Sequence, residues 1–163
     1  MLGDGLYQEE FDVALYTAQF VGTIITDIYY DGHGMQQVAR KKDLTPVTLA
    51  DTIANSYITT FLRGYFPCDT IVSEEEEIIK GSSGRGWYID PLDGTTGFGN
   101  HTDQFAVHIG FVVNSEPVMG IVYKPTTKEY YWAIKGRGAY RESPTRERLT
   151  LPSIRLPSTD NCE

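Results

Sequence analysis

Residues 87–98 read Trp87-Tyr88-Ile89-Asp90-Pro91-Leu92-Asp93-Gly94-Thr95-Thr96-Gly97-Phe98. Trp-Tyr-Ile is a run of strand formers, so a largely buried strand is expected over 87–90, ending on an acid. Pro91 fixes the exit angle, because its φ is locked and it has no N–H to give. Gly94 allows the backbone to approach a ligand closely. Thr95 and Thr96 then open a short helix ending at Gly97-Phe98-Gly99, with the amides of Gly94 and Thr95 turned toward an anion. Two carboxylates and a set of N–H donors thus meet at one strand-to-helix turn. Carboxylates suit a hard cation such as Mg²⁺, and amides suit a phosphate bridging to it. A pair of such ions about 3.5–4 Å apart would clamp a phosphoester during in-line displacement. A bare D-x-x-D-G would mean no more than a bend, since Asp-Gly is a common turn dipeptide. The apolar strand before it and the Gly-Thr after it make the longer string informative.

Working outward, the C-terminal side has a period of two. Strands are expected over Gln104–Val113, Pro117–Lys124 and Glu129–Ile134. Asn114-Ser115-Glu116 and Pro125-Thr126-Thr127-Lys128 connect them as turns, which predicts an antiparallel meander. Upstream, Thr70–Ser73 reads as a short strand. Lys80 to Gly86 reads as a polar, glycine-rich, mobile loop, which resembles a phosphate loop in composition only. Further upstream the period changes to that of a helix. Phe11, Leu15, Ala18, Val21, Ile25 and Ile28 form one apolar face of a helix over Leu6–Tyr30, stopped by Asp31-Gly32-His33-Gly34. A second helix is expected over Val47–Phe66, with Thr48 as N-cap, Asp51 as helix-start acid, and Ile53, Tyr57, Phe61 and Tyr65 facing inward with Ala54, Ile58 and Leu62. Two helices followed by a run of strands predict an α+β fold: two N-terminal helices packed on a largely antiparallel sheet. From Arg141 the composition shifts to Ser, Pro, Thr and Arg, and residues 159–163 are expected to form a disordered tail behind a single domain over 1–158.

The chain has 163 residues, enough for one domain with a sizeable core. Lys plus Arg is 14 and Asp plus Glu is 22, a formal net charge of −8. That balance argues against a nucleic-acid partner, which would need basic patches. No stretch is long and apolar enough to span a bilayer, and the N-terminus shows no secretory pattern. Cys68 and Cys162 share no short motif and are expected to be reduced thiols of a cytoplasmic protein. Four acidic groups stand out: Asp43 with Asp51, Glu74-Glu75-Glu76-Glu77, Asp90 with Asp93, and Asp103. Glu75 to Glu77 read as a solvated face. His33, His101 and His108 have no ligand spacing, and His108 reads as a packed or edge residue of a strand. Tyr130-Tyr131-Trp132 reads as core.

The 87–98 string resembles the signature of the inositol monophosphatase superfamily, Mg²⁺-dependent, lithium-sensitive phosphomonoesterases. Asp43-Leu44-Thr45-Pro46-Val47-Thr48-Leu49-Ala50-Asp51 resembles the family's D-x-S/T-P-V-T-x-A-D segment, and Ile71-Val72-Ser73-Glu74-Glu75 its strand followed by a Glu pair. Gln104 to Ile109 and Pro117 to Tyr123 resemble its central strands, and Gly136-Arg137-Gly138-Ala139-Tyr140 the turn that follows. The Pro in the Asp-x-Thr-Pro-Val-Thr string, and Ser-Glu-Glu in place of Gly-Glu-Glu, resemble the 3′(2′),5′-bisphosphate nucleotidase branch. Its members hydrolyse 3′-phosphoadenosine 5′-phosphate to AMP; inositol monophosphatases and sugar bisphosphatases of the superfamily are the alternatives. The resemblance implies two or three Mg²⁺ ions held by Glu74, Asp90, Asp93 and the Leu92 carbonyl. It implies that Thr95, paired with Asp43 or Glu74, activates the attacking water. The amides of Gly94 and Thr95, with Thr96 beside them, would hold the phosphate of a small substrate, a nucleotide bisphosphate or an inositol phosphate.

The chain departs from the family in one respect. No W-D-x-A-x-G-like segment is found, since Trp132 is followed by Ala133. The resemblance therefore implies the N-terminal half of a layered α/β sandwich, with the C-terminal half absent. Three situations would account for it: a fragment completed by another segment, a short form completed by forming a homo-oligomer, or a non-catalytic metal-binding or interaction module.

Overall fold

Helices α1 (Gln8–Tyr30) and α2 (Leu49–Tyr65) pack against each other and together cover one face of a seven-stranded sheet, in a computed structural model. The structure describes residues 6–30, 37–40, 46–145 and 148–150, with the backbone alone at 37–40, 46–48 and 148. Strands β1 (Gln37–Arg40) and β2 (Pro46–Thr48) form a small antiparallel pair of their own. The main sheet runs in the order β3 (Thr70–Ser73), β4 (Arg85–Asp93), β5 (Ala106–Val113), β6 (Glu116–Lys124), β7 (Glu129–Ile134), β8 (Gly138–Glu142), β9 (Arg148–Thr150). Pair β3–β4 is parallel and every later pair is antiparallel, so the expected α+β class and the meander both hold.

The core lies between the helices and the sheet. Val107, Ile109 and Phe111 are buried while His108, Gly110 and Val112 between them are not, the alternation of a sheet with one covered face. Trp87 packs on Phe111 with ring centroids 4.4 Å apart and stacks on Phe66 at 5.2 Å. Each such pair contributes about 0.5–1.5 kcal/mol beyond its buried area. Of the 130–132 stretch read as core, Trp132 is buried against Phe11, whereas Tyr130 and Tyr131 are only half-buried. The β5–β6 turn has Asn114 at φ 50° and Ser115 at φ 67°, the two left-handed residues of a tight hairpin whose twist matches its strands.

Several expectations are corrected. Helix α2 starts at Leu49, because Pro46–Thr48 is taken by β2. Its inward face is Ala50, Ala54, Ile58 and Leu62, whereas Tyr57 and Tyr65 are 42% and 58% exposed. The reason is that α2 carries two apolar stripes. The aliphatic one meets the sheet, and the aromatic one lies along the seam with α1, where Phe20 meets Tyr57 and Phe61. Strand β4 runs on to Asp93 rather than stopping at Asp90, and β5 starts at Ala106 rather than Gln104. Strand β8 takes up most of the 136–140 stretch read as a turn, and β9 extends the meander into the stretch read only as a change of composition. The loop read over 80–86 ends at Gly84, since Arg85 and Gly86 belong to β4; the amides of Ser82 and Ser83 donate to the Cys68 carbonyl at 2.8 and 3.0 Å, and that of Gly81 to the Thr70 hydroxyl at 3.0 Å. The Asp31–Gly34 helix stop, Cys162 and the 159–163 tail lie outside the described residues.

At the start of β4 sits a buried charge cluster. Asp69, 4% exposed, accepts hydrogen bonds from Arg85 Nε and Nη2, from Ser83 Oγ at 2.7 Å and from Trp87 Nε1 at 3.0 Å. Arg85 also reaches Glu10 of α1 at 2.7 Å and lies over the Phe66 and Phe111 rings. Burial pushes the Asp69 carboxyl up, but the hydrogen bonds from Arg85, Ser83 and Trp87 outweigh it and hold the group below the usual carboxylate range. Hydrogen bonding to Asp69 in turn raises Arg85.

Candidate functional site

The register of β4 decides where its acids point. Side chains alternate along a strand, so residues three apart face opposite ways. Here Asp90 pairs with His108 and Asp93 with Ala106, so Pro91 and Leu92 together stand opposite one residue of β5. This bulge adds a residue to β4, and it puts Asp90 and Asp93 on the same side of the sheet. Pro91 is tolerated in an interior strand because the bulge removes the need for its missing N–H. The side they share is that of His108, whose Nε2 lies 3.6 Å from Asp93 Oδ2. The site therefore opens away from the helix-covered core.

The parallel pairing of β3 with β4 brings Glu74 to the same place. Ser73 is in register with Ile89, and the amide of Glu74 donates to the Ile89 carbonyl at 3.3 Å. Glu74 thus follows β3 where Asp90 follows Ile89 on its neighbour. Ligands of parallel strand pairs gather outside such carboxyl ends. Asp90 Oδ1 accepts from the Leu92 amide at 3.2 Å, and the buried Leu92 offers its carbonyl to Thr95 Oγ1 at 3.3 Å.

Helix α3 (Thr95–Gly99) follows directly. Its first internal bond runs from the Phe98 amide to the Gly94 carbonyl, so the amides of Thr95, Thr96 and Gly97 have no acceptor within the helix. Gly94 has φ +86°, and a Cβ there would stand 2.5 Å from the Gln104 carbonyl oxygen. A Cβ on Gly97 would meet the same oxygen at 2.3 Å. Both glycines let α3 dock on the backbone of Gln104. From the far side, Tyr29 at the end of α1 donates to Asp103 Oδ1 at 2.8 Å and packs on Phe98 and Phe105. Asp103 is thereby a structural anchor, and burial pushes the Tyr29 phenol up.

The structure thus brings Glu74, Asp90, Leu92, Asp93, Gly94, Thr95 and Thr96 to one strand-to-helix junction. Asp43 lies outside the described residues. Asp51 is buried in the first turn of α2, as a helix-start acid would be. Glu76 and Glu77 are exposed, as a solvated face requires, whereas Glu75 is half-buried. Among the described residues, no three His, Cys, Asp or Glu side chains are drawn together closely enough to hold a metal ion. Glu74, Asp90 and Asp93 share a strand end without closing into a cage. Sequence reasoning passed over His108 as a site neighbour, because only the bulge register sets it beside Asp90 and Asp93. It also passed over Asn55, which the fold places behind Ser73. Among the described residues, no helix is long and apolar enough to cross a membrane.

Comparison with known proteins matches residues 7–162 to the inositol monophosphatase family. The chain is 34% identical over 143 residues to the 3′(2′),5′-bisphosphate nucleotidase CysQ of Salmonella typhimurium, covering 86% of this chain and 58% of that protein. The crystal structure of the extragenic suppressor protein suhB from Bartonella henselae is similar at a TM-score of 0.77 and 31% identity, over 82% of this chain and 52% of that one. CysQ from Bacteroides thetaiotaomicron, a bacterial member of the inositol monophosphatase family, is similar at 0.68 and 27%, over 93% and 60%. The chain spans between half and three-fifths of the length of these relatives.

Proposed function

Since the chain belongs to the inositol monophosphatase family, we propose that its strand-to-helix junction is the core of a Mg²⁺-dependent phosphomonoesterase site of the 3′(2′),5′-bisphosphate nucleotidase type. The observation that carries this reading is the β4 bulge, which sets Asp90 and Asp93 on one side at the foot of α3. The relation to CysQ of Salmonella typhimurium supports the nucleotidase branch. The substrate would be 3′-phosphoadenosine 5′-phosphate, cleaved to AMP and phosphate.

The donor set fits the ion. Glu74, Asp90, Asp93 and the Leu92 carbonyl offer oxygen only, the ligand type that Mg²⁺ takes. When bound, two or three Mg²⁺ ions would supply charge neutralisation of the phosphoryl oxygens and acidify water. The chain's own residues do the rest. The amides of Gly94 and Thr95, with Thr96 alongside, hold phosphate oxygens, and the left-handed Gly94 keeps that turn free of a side chain. Thr95 Oγ1 orients the attacking water, with Asp43 or Glu74 as its acid–base partner. The protein is read as acting in the cytoplasm on a small phosphorylated metabolite.

The test is phosphate release by the purified chain from 3′-phosphoadenosine 5′-phosphate and from inositol 1-phosphate, with Mg²⁺, with and without Li⁺. Lithium-inhibited release from the nucleotide is the expected result. Preference for the inositol ester would move the chain to another branch. The second reading is a non-catalytic metal-binding module. Mg²⁺ binding without release from either ester would select it.

A further inference from the structure

The buried side of α2 carries polar residues one turn apart, Asp51, Asn55 and Thr59, alongside Ala54, Ile58 and Leu62. Burying an amide side chain is costly unless it is hydrogen-bonded. Asn55 is 1% exposed, and its Oδ1 accepts the hydroxyl proton of Ser73, the last residue of β3. With its proton committed to Asn55, the Ser73 oxygen accepts from the Glu75 amide at 3.1 Å. The intervening Glu74 amide is held by the Ile89 carbonyl at 3.3 Å. The backbone on both sides of Glu74 is therefore tied down, on one side to β4 and on the other, through a single hydroxyl, to a buried amide in α2.

We propose that Asn55 is a positioning residue for Glu74: acting through Ser73, it fixes the turn that presents the Glu74 carboxylate at the junction. The inference rests on the reading of that junction as a Mg²⁺ site. A serine hydroxyl without Asn55 can rotate toward other acceptors, and the 74–77 turn then loses its orientation. Outer partners of metal ligands act in this way, and their loss costs about 10–100-fold in metal affinity.

The probe is Mg²⁺ alone, titrated calorimetrically into the full chain and into Asn55→Ala, Ser73→Ala, Ser73→Thr, the Asn55→Ala/Ser73→Ala double variant and Glu74→Gln, each checked for folding by thermal melt. Asn55→Ala and Ser73→Ala are expected to weaken Mg²⁺ about tenfold or more, with Ser73→Thr close to the unaltered chain because it keeps the hydroxyl. The double variant should lose no more than either single one, as residues acting in series do. If Asn55→Ala fails to fold, the Ser73 pair decides. Unaltered affinity in Ser73→Ala, with Glu74→Gln impaired, would overturn the positioning role and leave the metal site standing. Unaltered affinity in Glu74→Gln would remove the site reading and the inference with it.

Discussion

The parallel strand pair β3–β4 has acids at both ends, Asp69 before β3 and Asp90 with Asp93 at the finish of β4, and the two ends are built differently. At its start, Asp69 is buried and saturated: Arg85, Ser83 and Trp87 all donate to it, and Arg85 bridges on to Glu10 of α1. At its finish, Asp93 is exposed and Asp90 half-buried, and β4 carries a bulge and a proline where it could have run straight. The first end joins helix layer to sheet. The second spends regular pairing on aiming two carboxylates the same way. Carboxylates at the two ends of one strand pair can therefore be separated into structural and functional ones by what surrounds them, and the difference is open to experiment.

The largest effect should come from Asp69→Ala. It leaves the Arg85 guanidinium without its buried partner and strands the Trp87 N–H. Breaking such a pair costs about 3–5 kcal/mol, read as a lower urea midpoint. Asp90→Asn keeps an acceptor for the Leu92 amide, and its unfolding free energy should stay within about 1 kcal/mol of that of the unaltered chain. Equal destabilisation by the two would erase the contrast between the ends.

Gly94→Ala comes next. The substitution forces a side chain into φ +86° and against the Gln104 carbonyl. A cost of about 1–3 kcal/mol is expected, with loss of inorganic phosphate binding in the presence of Mg²⁺. Retained phosphate affinity would separate α3 from the anion site.

Acid titration sharpens the comparison further. Asp69 is held below its ordinary range, so its stabilising contribution is complete above the unfolded carboxylate pKa of about 3.9 and is lost as pH falls toward the folded value. Stability should therefore fall below about pH 4, and Asp69→Asn should flatten that slope. The smallest effect is expected at Thr59, whose buried hydroxyl has no hydrogen-bond partner among the described residues. Thr59→Val removes it at nearly constant volume and should stabilise the chain by about 1 kcal/mol, seen as a higher melting temperature.

Much of this was legible in the residues themselves. The period-two runs gave β3 and β7 to the residue, and the Gly-Thr-Thr-Gly-Phe string gave α3 where it stands. What escaped had a physical cause. Helix α2 offers two apolar stripes, and periodicity alone cannot say which meets the sheet. The bulge at Pro91-Leu92 is a property of two paired strands, visible only once β5 is in register. The Asn55–Ser73 bond joins residues 18 apart through packing, with no local pattern to announce it. Asp69 was not singled out, because a lone acid between Cys68 and Thr70 signals nothing until Arg85 is folded against it.

The central claim is that the finish of β4 holds a metal for phosphate chemistry. Its most direct test is calorimetric titration of Mg²⁺ into the unaltered chain and into Asp90→Asn. The account predicts saturable binding to the first and none to the second, with both equally folded. Equal Mg²⁺ affinity in the two would contradict it.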